Sequence, residues 1–250
     1  MPLTAVDNRR LYRQIADQIA ALIEKGEYGA GQRLPPERNL AKQLGVSRPS
    51  VREALIALEV EGYVEVRVGS GVYVMGPIPA ARAEPLPADS GPFELIKARW
   101  LIEAECAALA AKQATRAQVR LMEEALEQMD SDRVRGVMPL AADRLFHLRI
   151  AEASGNSALA LVVKTLWDQR TGPLFLRLEH HFDTPDLWGL ALKEHRDIVA
   201  AIARHDAGGA RAAMRLHMNH AAKRFSKSWE NKRGQVTFSA DGRGSAKRKK

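Results

Sequence analysis

The chain has 250 residues, of which 46% are hydrophobic and 6% aromatic, and its formal net charge is +8. This composition allows one large domain or two small ones with aliphatic cores. The sequence contains no apolar run near the ~20 residues that a membrane-spanning helix needs. We expect no secretory leader in the first ten residues. The single cysteine, Cys106, excludes an intrachain disulfide framework, so we expect a cytoplasmic protein.

The N-terminal part predicts three helices. Apolar residues recur at helical spacing from Leu11 to Ile23. A short second helix is expected after the double proline that follows Leu34, because proline is tolerated at a helix start, and it should stop at Gly45. Ser47 is a good N-cap for the third helix.

The segment after the third helix predicts a β-hairpin. Valines alternate with other residues from Val64 to Val68, a Gly69-Ser70-Gly71 triplet supplies the turn, and a second apolar run follows. The order helix, helix, turn, helix, hairpin in residues 1–75 is the pattern of a winged helix-turn-helix domain.

A proline-rich stretch, residues 76–92, separates this domain from the rest of the chain and predicts a semi-extended linker, because proline fixes φ and removes a donor. Residues 93–229 show helical periodicity without a strand pattern. Capping signals divide them into six helices, at about 93–113, 115–130, 137–154, 156–180, 185–204 and 207–228. The expected fold class is therefore mainly α, with the N-terminal winged helix-turn-helix followed by a C-terminal all-α antiparallel helical bundle.

The whole positive excess lies at the C-terminus. Residues 223–250 contain ten Lys and Arg against two Asp and Glu, which leaves 28 residues of each sign before them. The net charge is therefore no argument that the folded domains bind nucleic acid. The polar, glycine-rich segment 230–250 predicts a disordered basic tail, which we expect to add non-specific, salt-sensitive DNA affinity.

The third helix carries the side chains that we expect to contact DNA. Arg48 and Arg52 are i,i+4 neighbours at its N-terminal end and lie off the apolar stripe that contains Val51 and Leu55. This end of a recognition helix faces base edges in the major groove, where the guanidinium fork matches guanine O6 and N7. Two arginines alone would favour a solvated helix face, but the complete order of elements favours DNA.

Further DNA contacts are expected around this helix. Ser50 and the helix N-terminus can donate to phosphates. Arg38 opens the second helix and faces the DNA backbone or a base. Arg67 and the turn at Gly69 are expected to approach the minor groove.

Three segments resemble the GntR-type winged helix over about residues 10–75: 34–41 (LPPERNLA), 46–55 (VSRPSVREAL) and 58–74 (LEVEGYVEVRVGSGVYV). The resemblance implies that Arg38, Arg48 and Arg52 are the principal DNA contacts, with Gly69 at the wing tip. This chain departs from many relatives at Val68, where they have a basic or polar residue.

A second constellation consists of Asp143, His147, His195 and His217. Asp143 and His147 are i,i+4 neighbours on one helix face. The other two histidines lie on the arms of the last helical hairpin, each ~12–17 Å from its turn at ~1.5 Å per residue. Three imidazoles and a carboxylate suit Zn²⁺, Ni²⁺ or Mn²⁺. The spacing alone is weak, because the chain has seven histidines and most histidines on apolar faces are structural.

The segments 93–103 (FELIKARWLIE) and 143–156 (DRLFHLRIAEASGN), with His195 and His217, resemble the FCD effector domain of FadR-type GntR regulators over about residues 92–225. The resemblance implies a divalent metal bound by the four residues above, and Arg99 paired with an effector carboxylate in the same cavity. The alternative for Arg99 is an i,i+4 ion pair with Glu103, and both are compatible.

The segment 91–99 (GPFELIKAR) is similar to regulators of hexuronate utilisation, so a sugar acid or a related metabolite is the expected effector. Arg170 is either a second anion contact or a surface residue. The family resemblance also implies a homodimer on a short pseudo-palindromic operator. We expect a repressor that its ligand releases rather than an activator. We consider two alternatives: a metal-dependent hydrolase with an accessory DNA-binding domain, and an architectural nucleic-acid protein driven by its basic tail.

Overall fold

The computed structural model describes residues 10–76, 90–182 and 184–226, and these residues confirm the predicted fold class. The head contains α1 (Leu11–Glu24), α2 (Glu37–Leu44), α3 (Arg48–Val60), β1 (Val64–Arg67) and β2 (Gly71–Val74). The helical domain contains α4 (Pro92–Gln113), α5 (Arg116–Val134), α6 (Leu140–Ala153), α7 (Ser157–Asp168), α8 (Pro173–Phe182), α9 (Pro185–Ala203) and α10 (Ala207–Ser226). Most of the predicted linker, all of the predicted tail and the first nine residues lie outside the described ranges.

The head forms because local signals agree with its packing. Gly45 ends α2 in the left-handed region, with φ of 66°, which costs glycine little. Ser47 then caps α3 by accepting a hydrogen bond from the Ser50 backbone N–H. The strands pair antiparallel, with Val64 opposite Val74, and their apolar side chains join the core of the head.

The helical domain is an antiparallel bundle in which α4 packs along α10, and α5 packs between α6 and α9. Its core contains the small side chains Ala104, Ala107 and Ala111 of α4, which let neighbouring helices approach closely. A capping box at Thr115 and Gln118 starts α5, as the sequence predicts. Among the described residues no helix is both long and apolar enough to span a membrane.

One predicted helix is wrong. The segment expected as a single helix over 156–180 is two helices, because α7 ends at Asp168, a 3-10 turn spans Gln169–Thr171, and α8 starts at Pro173. Proline cannot donate to the helical ladder but suits the first position of a helix. The Gly172-Pro173 pair therefore breaks the segment, and the bundle has seven α-helices in its described part.

The head and the helical domain share one hydrophobic core. Leu95 and Ile96 of α4, Leu178 and Phe182 of α8, and Phe225 of α10 are buried in the same cluster as the core of the head. The Glu53 carboxylate on α3 also accepts a hydrogen bond of 2.8 Å from the Phe93 backbone N–H at the start of α4. The recognition helix therefore lies against the helical domain of its own chain.

Candidate functional site

Four polar side chains converge inside the bundle. Asp143 and His147 come from α6, His195 from α9 and His217 from α10. The Asp143 Oδ1 atom is 3.5 Å from His147 Nε2 and 3.4 Å from His195 Nε2, and His195 Nε2 is 3.1 Å from His217 Nε2. The three imidazoles are buried and offer nitrogen atoms within 4.8 Å of one another.

These separations fit a tetrahedral metal site. Ligand atoms bound to one zinc ion at ~2.0–2.1 Å stand about 3.4 Å apart at tetrahedral angles. Asp143 Oδ1 and His147 Nε2 are also buried without a hydrogen-bond partner in the described structure, and such atoms are costly unless something binds them. The residues present therefore fit the metal that the sequence resemblance implies.

Two carboxylates, the buried Glu103 and the half-buried Glu194, hold the outer nitrogens of His147 and His217. Glu194 Oε2 accepts a hydrogen bond of 2.8 Å from His217 Nδ1. Glu103 Oε2 contacts His147 Nδ1. A carboxylate at Nδ1 keeps the proton on that atom and directs the lone pair of Nε2 toward the centre. Both imidazoles are therefore oriented as metal ligands.

The pKa shifts indicate the protonation states of the Asp143 carboxyl and the neighbouring imidazoles. Burial lowers the pKa of His195 and His217 well below the usual value, and neighbouring imidazoles add to this effect. For Asp143, burial opposes ionisation, but His147, His195 and Arg170 outweigh it and hold the pKa well below its usual range. For His147, burial lowers the pKa, but Glu103 and Asp143 outweigh burial and raise it. The neutral imidazoles of His195 and His217 and the ionised Asp143 are in the protonation states that metal ligation requires, whereas a metal would have to displace the proton that Glu103 and Asp143 favour on His147.

Two arginines stack on the same tryptophan beside this cluster. The Cζ atoms of Arg99 and Arg170 lie 4.0 and 4.2 Å from the centroid of the Trp167 ring. Arg99 Nε donates to Glu103 Oε1 at 2.6 Å, so the ion pair considered from the sequence is present. Its Nη2 atom is buried without a hydrogen-bond partner. Arg99 therefore retains one donor for a ligand.

Arg170 is buried, not on the surface. Its Nη1 donates to Asp143 Oδ2 at 3.1 Å, and its Nη2 pairs with Glu179 of α8. The break between α7 and α8 produces this position, because Arg170 lies in the 3-10 turn. The residue therefore connects the candidate metal cluster to α8.

A cavity of about 60 Å³ lies against these residues. Both arginines, Asp143, His195 and His217 line it, together with Phe175 and Phe225. Ligand pockets usually measure ~300–1,000 Å³. The enclosed part of this cavity is therefore smaller than a typical ligand pocket.

Sequence reasoning missed three contributors to this site. Glu103 was considered only as a partner of Arg99, although its i,i+4 spacing already placed both on one helix face. Glu194 directly precedes His195, which alone does not reveal its contact with His217. Glu179 carries no local signal, since only the fold brings α8 against Arg170.

The residues predicted to contact DNA differ in how exposed they are. Arg38, Arg48 and Arg67 are exposed, while Ser50 and Gly69 are half-buried at the start of α3 and at the wing turn. The side chain of Arg48 is 46% exposed, and its Nε donates to Glu37 Oε1 at 2.8 Å. Arg67 pairs with Glu65 at 2.7 Å and stacks on the Tyr73 ring.

Arg52 differs from the expectation of a surface residue. It is 1% exposed, and its Nε and Nη2 donate to Glu37 Oε2 at 3.0 and 2.6 Å. Its Nη1 donates to the backbone carbonyl of Phe225 in α10, and its Cζ lies 5.1 Å from the centroid of the Phe182 ring. In this arrangement the helical domain covers Arg52, so DNA cannot reach it.

Comparison with known proteins identifies the family. The family model "Bacterial regulatory proteins, gntR family" matches residues 11–74, and the model "FCD domain" matches residues 94–220. The chain is 38% identical over 230 residues to the Uxu operon transcriptional regulator of Escherichia coli (strain K12), with 89% of each protein covered. It is 41% identical over 219 residues to the Exu regulon transcriptional regulator of the same strain, covering 85% of this chain and 83% of that protein.

Among solved structures, E. coli McbR/YncC aligns with a TM-score of 0.48 at 24% identity, covering 87% of this chain and 97% of that one. The two family models follow each other in the order of the head and the bundle, and the relatives extend across both. The chain therefore belongs to the gntR family of bacterial transcription regulators, with a gntR-type winged helix-turn-helix followed by an FCD domain.

Proposed function

We propose that this regulator is a repressor whose helical domain binds a small carboxylate, with a sugar acid as the leading class, beside a divalent metal ion. The observation that carries the proposal is the convergence of Asp143 and three imidazole nitrogens next to the unpaired Nη2 of Arg99. The resemblance to regulators of hexuronate utilisation supports a sugar acid, as do relatives named for the Uxu operon and the Exu regulon.

Asp143, His147, His195 and His217 are the proposed metal ligands, for Zn²⁺, Ni²⁺ or Mn²⁺. Their separations of 3.1–3.5 Å support this assignment. When bound, such an ion would supply a fixed positive charge that attracts carboxylate and hydroxyl oxygens.

Arg99 and Arg170 are the proposed effector-binding residues. Arg99 Nη2 would donate to the ligand carboxylate, and a charge-assisted bond of this kind is strong in a buried site. Arg170 would add positive charge from its position against the Trp167 ring. Its ties to Asp143 and Glu179 fix its position, so we expect it to orient the ligand more than to move with it.

The head is proposed to bind operator DNA through Arg38, Arg48 and Arg52, with Ser50 near phosphates and with Arg67 and Gly69 near the minor groove. We propose a homodimer, so that two heads meet a pseudo-palindrome. Exposed leucines on two bundle helices in contact, Leu101 of α4 and Leu161 of α7, support a partner surface.

The test begins with DNA that the full-length protein selects from a random pool. Fluorescence anisotropy then measures the Kd for this DNA with Zn²⁺ and increasing D-galacturonate, or D-galactose as the matched neutral sugar. We expect the acid to weaken binding about 5–150-fold and the neutral sugar to have no effect. If neither a panel of carboxylates nor metal chelation changes the Kd, the sensing function is wrong.

The hydrolase alternative makes a different prediction. It requires turnover of sugar lactones or esters in Zn²⁺ or Mn²⁺. The same preparations, followed by product analysis, distinguish the two functions, because a sensor binds its ligand without consuming it.

A further inference from the structure

The surface that covers the recognition helix is formed by α8 and the end of α10. Leu178 and Phe182 of α8 and Phe225 of α10 are buried in one cluster with the core of the head. His181 Nε2 lies 2.6 Å from Glu59 Oε2 on α3. We call this surface, made by Leu178, His181, Phe182 and Phe225, the docking face.

The docking face contacts the guanidinium of Arg52 on two sides. The Phe225 carbonyl accepts from Nη1, and the Phe182 ring lies under Cζ. Glu37 accepts from the remaining edge of the guanidinium. A side chain that is 1% exposed and held in this way has no donor within reach of a guanine edge.

We propose that the docking face binds the recognition helix α3 of its own chain in competition with operator DNA. This inference rests on the proposed function of the head. Docked and DNA-bound forms exclude each other at Arg52, so any docked population lowers the apparent affinity for DNA. A docked fraction of about 90% raises the apparent Kd about tenfold.

The effector cavity reaches the same face. Phe225 and Phe175 line the cavity, and their rings contact edge to face with centroids 5.8 Å apart. A ligand in the cavity therefore lies against the residue whose carbonyl holds Arg52. For a repressor that its ligand releases, the filled cavity favours the docked form.

The first test compares Phe182→Ala with Leu176→Ala in the full-length protein. Phe182 belongs to the docking face, whereas Leu176 is a 41% exposed apolar residue of the same helix. We expect Phe182→Ala to lower the Kd for the selected operator about fivefold to tenfold, because less protein is docked. Leu176→Ala should leave the Kd unchanged.

The second test detects Arg52 directly. Phenylglyoxal labels accessible arginines, and peptide mapping by mass spectrometry compares Arg52 with Arg48, which serves as the internal reference because it is 46% exposed. Without DNA, wild-type protein should label about tenfold more slowly at Arg52 than at Arg48, because Arg52 is accessible only in the undocked fraction. Phe182→Ala should expose Arg52 to the reagent.

Labelling of wild-type Arg52 as fast as Arg48 would overturn the proposal, and so would a folded Phe182→Ala variant with the wild-type Kd. If Phe182→Ala does not fold, as judged by circular dichroism, His181→Ala replaces it, since this change removes the contact with Glu59 on α3 and keeps the Phe182 ring. A wild-type protein that selects no DNA would instead refute the proposed function, and the labelling pattern would still decide on docking.

Discussion

Replacing Glu103 by glutamine tests how the candidate metal site is oriented. Glu103 is 1% exposed. Its Oε1 accepts from Arg99 Nε at 2.6 Å and from Trp167 Nε1 at 3.2 Å, while its Oε2 contacts His147 Nδ1. Burial raises the pKa of this carboxyl, but Arg99 and His147 outweigh it and lower the pKa to about 2. The group is therefore ionised at neutral pH.

The expected loss of metal affinity follows from the side-chain amide that glutamine introduces at position 103. Glutamine can accept from Arg99 and Trp167 only through its oxygen, so its NH₂ group faces His147 Nδ1. That atom must then accept, which moves the imidazole proton to Nε2 and removes the lone pair that would bind a metal at the centre of the cluster. Loss of such an outer partner usually costs 10–100-fold in metal affinity, and the charge left on buried Arg99 lowers the free energy of unfolding by about 3 kcal/mol.

Two measurements check this prediction. Zinc affinity is measured by competition with a chromogenic chelator, and stability by urea unfolding of the metal-free protein. Glu105→Gln is the matched control on the same helix, because Glu105 pairs with Arg211 at 2.8 Å on the surface, where ion pairs contribute ~0–1 kcal/mol. Wild-type zinc affinity in folded Glu103→Gln would refute the assigned orientation of His147.

Three further changes probe the head and the tail. Burial raises the pKa of Glu53 to about 7. The protonated carboxyl therefore contributes up to about 3 kcal/mol to the free energy of unfolding below pH ~4.5, and this contribution is lost as the pH rises to ~7. Glu53→Gln retains the acceptor for the Phe93 N–H, and its unfolding free energy should not show this decline in urea titrations at each pH. Arg48→Ala should weaken operator binding by ~1–3 kcal/mol and relax one base preference, as measured by DNA footprinting. Arg120→Ala, a change at an exposed arginine of α5, is the control and should leave the footprint unchanged. Deleting residues 232–250 should weaken binding to random DNA more than it alters operator preference; a truncation that changed preference alone would contradict this.

Local signals predicted the head well because each of its elements carries its own start and stop. Gly45 and Ser47 define the turn through backbone φ and a cap, and the valine alternation defines the wing. The bundle was less predictable at Gly172-Pro173, where a long apolar periodicity hid a break. Arg170 was consequently not placed in the core, since its position depends on that break.

The juxtaposition of the candidate ligands was predictable in part. The i,i+4 spacing of Asp143 and His147 places them on one face of any helix. The number of residues between each histidine and the interhelical turn puts His195 and His217 at similar distances from that turn. The facing direction of those two imidazoles depends on how α9 and α10 rotate against α6, which side-chain packing decides. The carboxylate partners of these imidazoles, Glu103 and Glu194, depend on the same rotations.

From its sequence alone, this chain determines a winged head, a helical domain and the residue types for binding DNA, a metal and a carboxylate, because caps, periodicity and motifs are local. The tertiary structure alone decides that α8 and α10 cover Arg52 and that Phe225 belongs both to the cavity wall and to this cover. Such contacts join residues 173 positions apart. They arise from burial of apolar surface between domains, which no short stretch of sequence encodes.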